Sequence, residues 1–160
     1  MRLGKVAKAI AKPFIKIQRW RQFNGDIEAI RIGGSSAYPL NWELIRNRYL
    51  KDERTLRVLL QGLAKVKYAG NSRFRVFFPP KTRIHVEKML NLPNGITATQ
   101  LAIVQDKELL NETERILKKP RNQNNTVLKG SAAELRSELE KLEASLDSMI
   151  RQAIETARES

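Results

Sequence analysis

A heptad repeat in the last quarter of the chain constrains the fold more than any other feature. Mostly apolar side chains recur there at alternating spacings of four and three residues: Leu135, Leu139, Leu142, Leu146, Met149, Ala153 and Thr156. This pattern is typical of a helix with one apolar seam, about three heptads long. We predict a C-terminal helix over residues 131–160 that begins at a capping box, Ser131-Ala-Ala-Glu134. The seam residues that we assign to oligomerisation are Leu135, Leu139, Leu142, Leu146 and Met149.

The charges beside this seam do not suit a parallel homodimer. With Leu139 and Leu146 at a positions, Glu138 lies at g and Glu143 lies at the following e. These two positions face each other in a parallel two-stranded coil, so carboxylates would meet on both sides of the dimer. We therefore expect the helix to pack antiparallel, against another protein, or back on its own chain.

The first 25 residues carry seven basic residues and no acidic residue. Apolar side chains follow helical spacing there and share one face: Leu3, Val6, Ile10, Phe14 and Ile17. We predict a basic amphipathic helix over residues 2–22, kinked or split by Pro13 near Lys12. It suits an arm laid on nucleic acid, a membrane-surface anchor formed by residues 1–20, or a first core helix with a solvated lysine face. The basic residues that we assign to nucleic-acid binding in this segment are Arg2, Lys5, Lys8, Lys12, Lys16, Arg19 and Arg21.

Residues 26–92 are expected to form a small core, which gives the chain an α+β fold class with mostly helical content. Apolar side chains alternate from Asp26 to Ile32, which predicts a strand over residues 27–32. Two helices follow, over residues 42–50 and 53–64. The short turn between them contains Asp52, a suitable N-cap for the second helix.

A β-hairpin is predicted directly after the second of these helices. Residues 65–69 and 73–78 both alternate at period 2, and Gly70-Asn71-Ser72 separates them. A three-residue loop pairs like with like, placing the apolar side chains on one face and Lys67 with Arg75 on the other.

Residues 81–92 are expected to form a short helix or an extended connection. A helical segment is predicted over residues 93–120, with a capping box that begins at Thr97 and a break near Asp106. A polar linker over residues 121–130 leads into the C-terminal helix.

The order of helix, strand, two helices and hairpin resembles that of winged helix-turn-helix domains over about half of the chain. In that family the second helix of the pair enters the major groove and the hairpin contacts the backbone. The short turn between the helices and the unusually basic first helix depart from the family's pattern. The residues that the resemblance assigns to DNA contact are Arg54, Arg57, Lys65, Lys67, Arg73 and Arg75.

Composition excludes several kinds of chemistry. The chain has no cysteine, which excludes disulfides, thiol nucleophiles and thiolate metal sites. The one histidine, His85, excludes a multi-histidine metal centre and has no visible partner for general-base catalysis. No run of about 18 apolar residues could span a membrane. We therefore expect no enzymatic activity, no metal, no cofactor and no membrane-spanning segment.

The formal net charge of +13 indicates a protein that binds something anionic. The leading hypothesis is a non-enzymatic structural or assembly protein of a large nucleoprotein particle, virion or ribosome-like, that contacts phosphates of DNA or RNA. The C-terminal helix would then meet other protein subunits. The basic N-terminal helix is similar in composition to small virion-associated phage proteins. A reducing cytoplasm or a virion particle suits a chain without cysteine.

Two alternatives stay open at the level of sequence. One is a winged helix-turn-helix DNA-binding regulator dimerised by its C-terminal helix. The other is a protein associated with an anionic membrane surface through residues 1–20.

Overall fold

The computed structural model describes residues 2–33, 39–64 and 78–160, with side chains from residue 15 onward. Met1–Asn41 and Trp42–Ser160 are two compact units. The first unit contains one long helix, and the second contains the other elements. The elements are α1 (Arg2–Gly33), α2 (Trp42–Tyr49), α3 (Glu53–Ala64), α4 (Pro80–Met89), α5 (Ile96–Leu117), a 3-10 turn (Pro120–Asn122) and α6 (Thr126–Glu159).

The predicted α+β fold class is wrong, because the described residues are 84% helical and include no strand. Residues 27–32, predicted as a strand, form the last part of α1. Ile27 and Ile30 are buried there at a spacing of three residues, which belongs to a helix face. Glu28 and Arg31 pair at the same spacing. The short apolar pattern fitted both periods, and the uninterrupted basic helix before it extends through the segment.

The predicted β-hairpin lies almost entirely outside the described residues, since these omit residues 65–77. Phe78, its last residue, is buried and directly precedes α4. The helix pair that precedes the hairpin is confirmed, with α2 and α3 close to their predicted bounds. The α+β core on which the winged-helix resemblance depended is nevertheless overturned, because the strand expected at residues 27–32 is helical.

Helices α5 and α6 form a long antiparallel hairpin that is the largest packing interface of the second unit. Residues late in α5 meet residues early in α6, as the side-chain contacts show. These contacts join Thr99 with Met149, Lys107 with Glu143, and Glu114 with Arg136. At 1.5 Å per residue, the 34 residues of α6 extend for about 50 Å.

The core of the second unit lies where α3 packs against this hairpin. The predicted apolar stripe of α3 is fully or almost fully buried, at Leu56, Leu59, Leu60 and Leu63. Arg57, on the flank of that stripe, forms an ion pair with Asp147 of α6. Helix α4 packs on α5, and α2 packs on α3.

The heptad seam of α6 packs on its own chain, which is one of the three arrangements expected from its charges. Leu139 and Leu146 are buried, and Leu135, Leu142 and Met149 are half-buried. Glu143, which would face another carboxylate in a parallel dimer, instead pairs with Lys107 of α5 at 3.2 Å. A role of these residues in oligomerisation stays a prediction.

Three helices differ from the predictions in their bounds or their continuity. Helix α5 begins at Ile96, one residue before the predicted cap at Thr97, and passes Asp106 without a break. Helix α6 begins at Thr126 rather than at Ser131, because Asn125 accepts hydrogen bonds from the N–H groups of the next turn. Helix α1 continues across Pro13 without being split, and it extends beyond its predicted end.

Candidate nucleic-acid interface

The side chains of α1 from residue 15 to residue 22 are all exposed. Lys16 and Arg19 lie three residues apart on one side of the helix, and Arg21 lies on the other side. No acidic residue stands among them, since Asp26 is the first acid in the chain. The side chains of Arg2, Lys5, Lys8 and Lys12 lie outside the described part of α1, although their backbone continues the same helix.

The exposed apolar side chains of this segment argue against a purely core-packing helix. Ile17, the last member of the predicted apolar stripe, is 49% exposed, and Trp20 is 60% exposed. A first core helix with a solvated lysine face would bury Ile17. This segment of α1 is therefore available to a partner on its basic side and on its apolar side.

The charge pattern of α1 also lowers the stability of this helix in the absence of a bound anion. Lys12, Lys16 and Arg19 follow one another at spacings of four and three residues, where like charges repel. A bound polyanion would remove this repulsion, because each phosphate offsets one cation. The segment thus carries positive charge that no acid of the first 25 residues offsets.

The structure separates the two arginines that the winged-helix resemblance places in a DNA groove. Arg54 is exposed on α3. Arg57 is half-buried and pairs with Asp147, so it fastens α3 to α6. The four wing residues, Lys65, Lys67, Arg73 and Arg75, lie outside the described residues.

A second basic surface, which the sequence patterns did not reveal, lies where α5 turns into α6. We call it the hairpin tip and define it by the exposed residues Lys118, Lys119, Arg121 and Lys129. Its signal in the sequence is a stretch from residue 115 to residue 133 with five basic residues and no acid. The basic surface was not predicted because this stretch was divided between a predicted helix end and a predicted linker.

The two acids that precede the hairpin tip on α5, Glu112 and Glu114, are already engaged. Glu112 accepts a hydrogen bond from Arg115, which lowers the pKa of the Glu112 carboxyl. The positive charge of Lys119 lowers the pKa of that carboxyl further. Glu114, the nearer of the two acids, pairs with Arg136 of α6 at 3.0 Å.

The described residues provide no arrangement typical of a metal site. They contain no group of three or more histidine or acidic side chains placed to hold a metal ion. His85 is exposed on α4, where its ring meets Trp42 edge-on with centroids 5.7 Å apart.

Within the described ranges, no helix has the length and apolar character needed to cross a membrane. Comparisons with family models, with curated proteins and with solved structures give no match.

Proposed function

We propose that this protein associates with nucleic acid without catalysing a reaction, as a structural or assembly component of a nucleoprotein particle. The observation that carries the proposal is the basic stretch of α1, which contains no acid before Asp26 and exposes Lys16, Arg19 and Arg21. Phosphates are the partner that this charge favours, because neutralising them releases counterions.

The proposed contacts are to the phosphate backbone rather than to base edges. A lysine is a point charge on a flexible stem, which recognises a phosphate without fixing a base pattern. The winged-helix resemblance assigned Arg57 to contacts in a DNA groove. In the structure Arg57 pairs with Asp147 instead. We therefore expect binding with a steep salt dependence and little preference for sequence.

A second candidate function is association with an anionic membrane surface. The specific observation in its favour is the exposure of Ile17 and Trp20 beside the basic residues of α1. Amphipathic helices that lie on membranes combine such apolar side chains with lysines and arginines. An apolar side chain such as Ile17 contributes nothing to phosphate binding, whereas it would insert into a membrane surface. Replacing Ile17 therefore distinguishes the two candidate functions.

The test is a titration of the full chain with duplex DNA and with single-stranded RNA at several salt concentrations, together with a titration with anionic phospholipid vesicles. The α1 charge variant is Lys16→Gln, Arg19→Gln and Arg21→Gln combined. Its matched control removes three exposed cations elsewhere, at Lys81, Lys141 and Arg151. The α1 apolar variant replaces Ile15 and Ile17 by glutamine and keeps every charge.

The proposal predicts that the α1 charge variant reduces the slope of log K against log salt by up to about 3 on duplex DNA. The control and the apolar variant should bind almost as the unmodified protein does. Equal slopes in the charge variant and its control would contradict the proposal. Binding to anionic vesicles that the apolar variant loses, without binding to nucleic acid, would establish the membrane function instead.

A further inference from the structure

The turn between α5 and α6 is an ordered structure rather than a loose linker. Asn122 donates from its backbone N–H to Lys119 O at 2.9 Å and from its side chain to Ile116 O at 3.3 Å. Asn125 N–H in turn donates to Asn122 O at 3.0 Å, and Asn125 then caps α6. The cations of the hairpin tip therefore project from a hydrogen-bonded turn between two helices.

Helix electrostatics explains only part of this positive charge. Lys118 and Lys119 follow the C-terminal end of α5, where cations are favourable. Lys129 lies in the first turn of α6, where the helix dipole disfavours a cation. That turn contains no acid, and its free N–H groups are partly satisfied by Asn125. The helix dipoles therefore favour Lys118 and Lys119 but not Lys129, and they do not account for the whole cluster.

Along the sides of the α5–α6 hairpin, by contrast, positive and negative charges are paired. Along them, acids and bases pair across the two helices, as Lys107 does with Glu143 and Glu114 does with Arg136. Among the described residues, no carboxylate forms an ion pair with any of the four hairpin-tip cations. Asparagine and glutamine side chains, which donate hydrogen bonds without adding negative charge, fill the turn between them.

We propose that the hairpin tip is a second phosphate-binding surface, which contacts the nucleic-acid backbone through Lys118, Lys119, Arg121 and Lys129. This inference rests on the proposed function and deepens it, because it assigns backbone contacts to the second unit as well as to α1. A chain with two such surfaces can hold two segments of nucleic acid, or two stretches of one strand, in proximity.

The experiment uses the full chain, the same duplex DNA and the same anionic vesicles. The tip variant replaces Lys118, Lys119, Arg121 and Lys129 by glutamine. Its matched control replaces four other exposed cations, Lys81, Lys88, Lys141 and Arg151, so both variants carry the same net charge. Far-UV circular dichroism checks that each variant keeps its helical content. If the tip variant does not fold, the double variant Arg121→Gln with Lys129→Gln replaces it in the titration.

The expected result is a slope of log K against log salt that falls by about 2–4 in the tip variant, since each lost phosphate contact is worth about 0.9. The control should change the slope by less than one contact. Equal slopes in the tip variant and the control would overturn the hairpin-tip proposal while leaving the role of α1 intact. No binding by the unmodified protein would overturn both, and a tip variant that loses binding only to anionic vesicles would overturn the nucleic-acid assignment.

Discussion

Glu87 of α4 accepts two hydrogen bonds from Thr97 in the first turn of α5, from the backbone N–H at 2.9 Å and from Oγ1 at 2.6 Å. Gly95 N–H donates to the same carboxylate at 3.1 Å, and Glu87 is only 5% exposed. Helix α5 has no side-chain cap of its own and no acid in its first turn. A residue of the neighbouring helix therefore supplies both the N-terminal hydrogen-bond acceptor and the negative charge that the dipole favours.

Replacing Glu87 by alanine should lower the free energy of unfolding by about 2–4 kcal/mol, because buried donors lose a charged acceptor. Glu87→Gln should cost less, since the amide keeps one acceptor oxygen. Urea unfolding measures both changes. The control is Glu134→Ala on the exposed face of α6, which should change stability by less than about 0.5 kcal/mol. Equal losses at Glu87 and Glu134 would show that the capping contact contributes nothing.

Two glycines at open positions should respond to alanine with opposite signs. Gly95 has φ +88° and Gly130 lies within α6, and an added Cβ meets nothing within 4 Å at either position. Gly95→Ala should therefore destabilise through backbone strain alone, by about 1–2 kcal/mol. Gly130→Ala should stabilise by about 0.5–1 kcal/mol, because alanine favours a helix interior. Melting temperatures that move in the same direction would contradict the different backbone roles of the two glycines.

The cap of α3 should make the stability of the protein sensitive to acid. Hydrogen bonds from Thr55 N–H and then from its hydroxyl lower the pKa of Asp52. The ionised cap thus stabilises fully above the unfolded-state pKa, about 3.9, and this stabilisation is lost as the pH falls through the lower folded-state value. Asp52→Asn keeps an acceptor without the titration, so its melting temperature should fall less between pH 7 and pH 3. An identical fall in melting temperature for Asp52→Asn and the unmodified protein would contradict the role of the ionised cap.

The antiparallel pairing of α5 and α6 can be tested by exchanging charges. Lys107 and Glu143 are about half exposed and pair at 3.2 Å, so Lys107→Glu should cost only about 0.2–1 kcal/mol. Adding Glu143→Lys should recover that loss, because the pair is restored with its signs reversed. A double-mutant cycle measures the coupling. Additive effects would mean that the two side chains do not interact in solution.

Local signals in the sequence predicted the elements whose structure depends on nearby residues. The apolar stripe of α3 and the cap at Asp52 both lie within a few residues of the groups that they stabilise, and both are confirmed. The strand at residues 27–32 was wrong because Ile27 and Ile30 satisfy a helical spacing as well as a short alternating pattern. The continuation of α1 decided between the two.

The features that the sequence did not predict depend on contacts between residues that are distant in the sequence. Nothing in the sequence indicates that Glu87 would cap a helix that starts nine residues later, since this depends on how α4 packs on α5. The ion pair of Arg57 with Asp147 likewise joins residues that are far apart in the sequence, so sequence patterns could not predict it. They indicated a groove-facing residue instead. The basic stretch of α1 was visible directly, whereas the hairpin tip required knowledge of where α5 ends and α6 begins.

The position of Leu146 in the core of its own chain yields a last prediction. Leu146 lies in the heptad seam and is 4% exposed, in the helix that packs on α5 and α3. Leu146→Ala should lower the free energy of unfolding by about 2–5 kcal/mol. Leu109→Ala, at a position that is 55% exposed on α5, should cost far less.

The concentration dependence of unfolding tells whether the seam acts within one chain or between chains. A seam buried within the chain gives a urea midpoint that is independent of protein concentration, because no association is coupled to folding. We expect equal midpoints at concentrations about a hundredfold apart, for the unmodified protein and for Leu146→Ala. A midpoint that rises with concentration in the unmodified protein and no longer does so in Leu146→Ala would instead place the seam between two chains. It would then support the oligomerisation predicted from the heptad repeat.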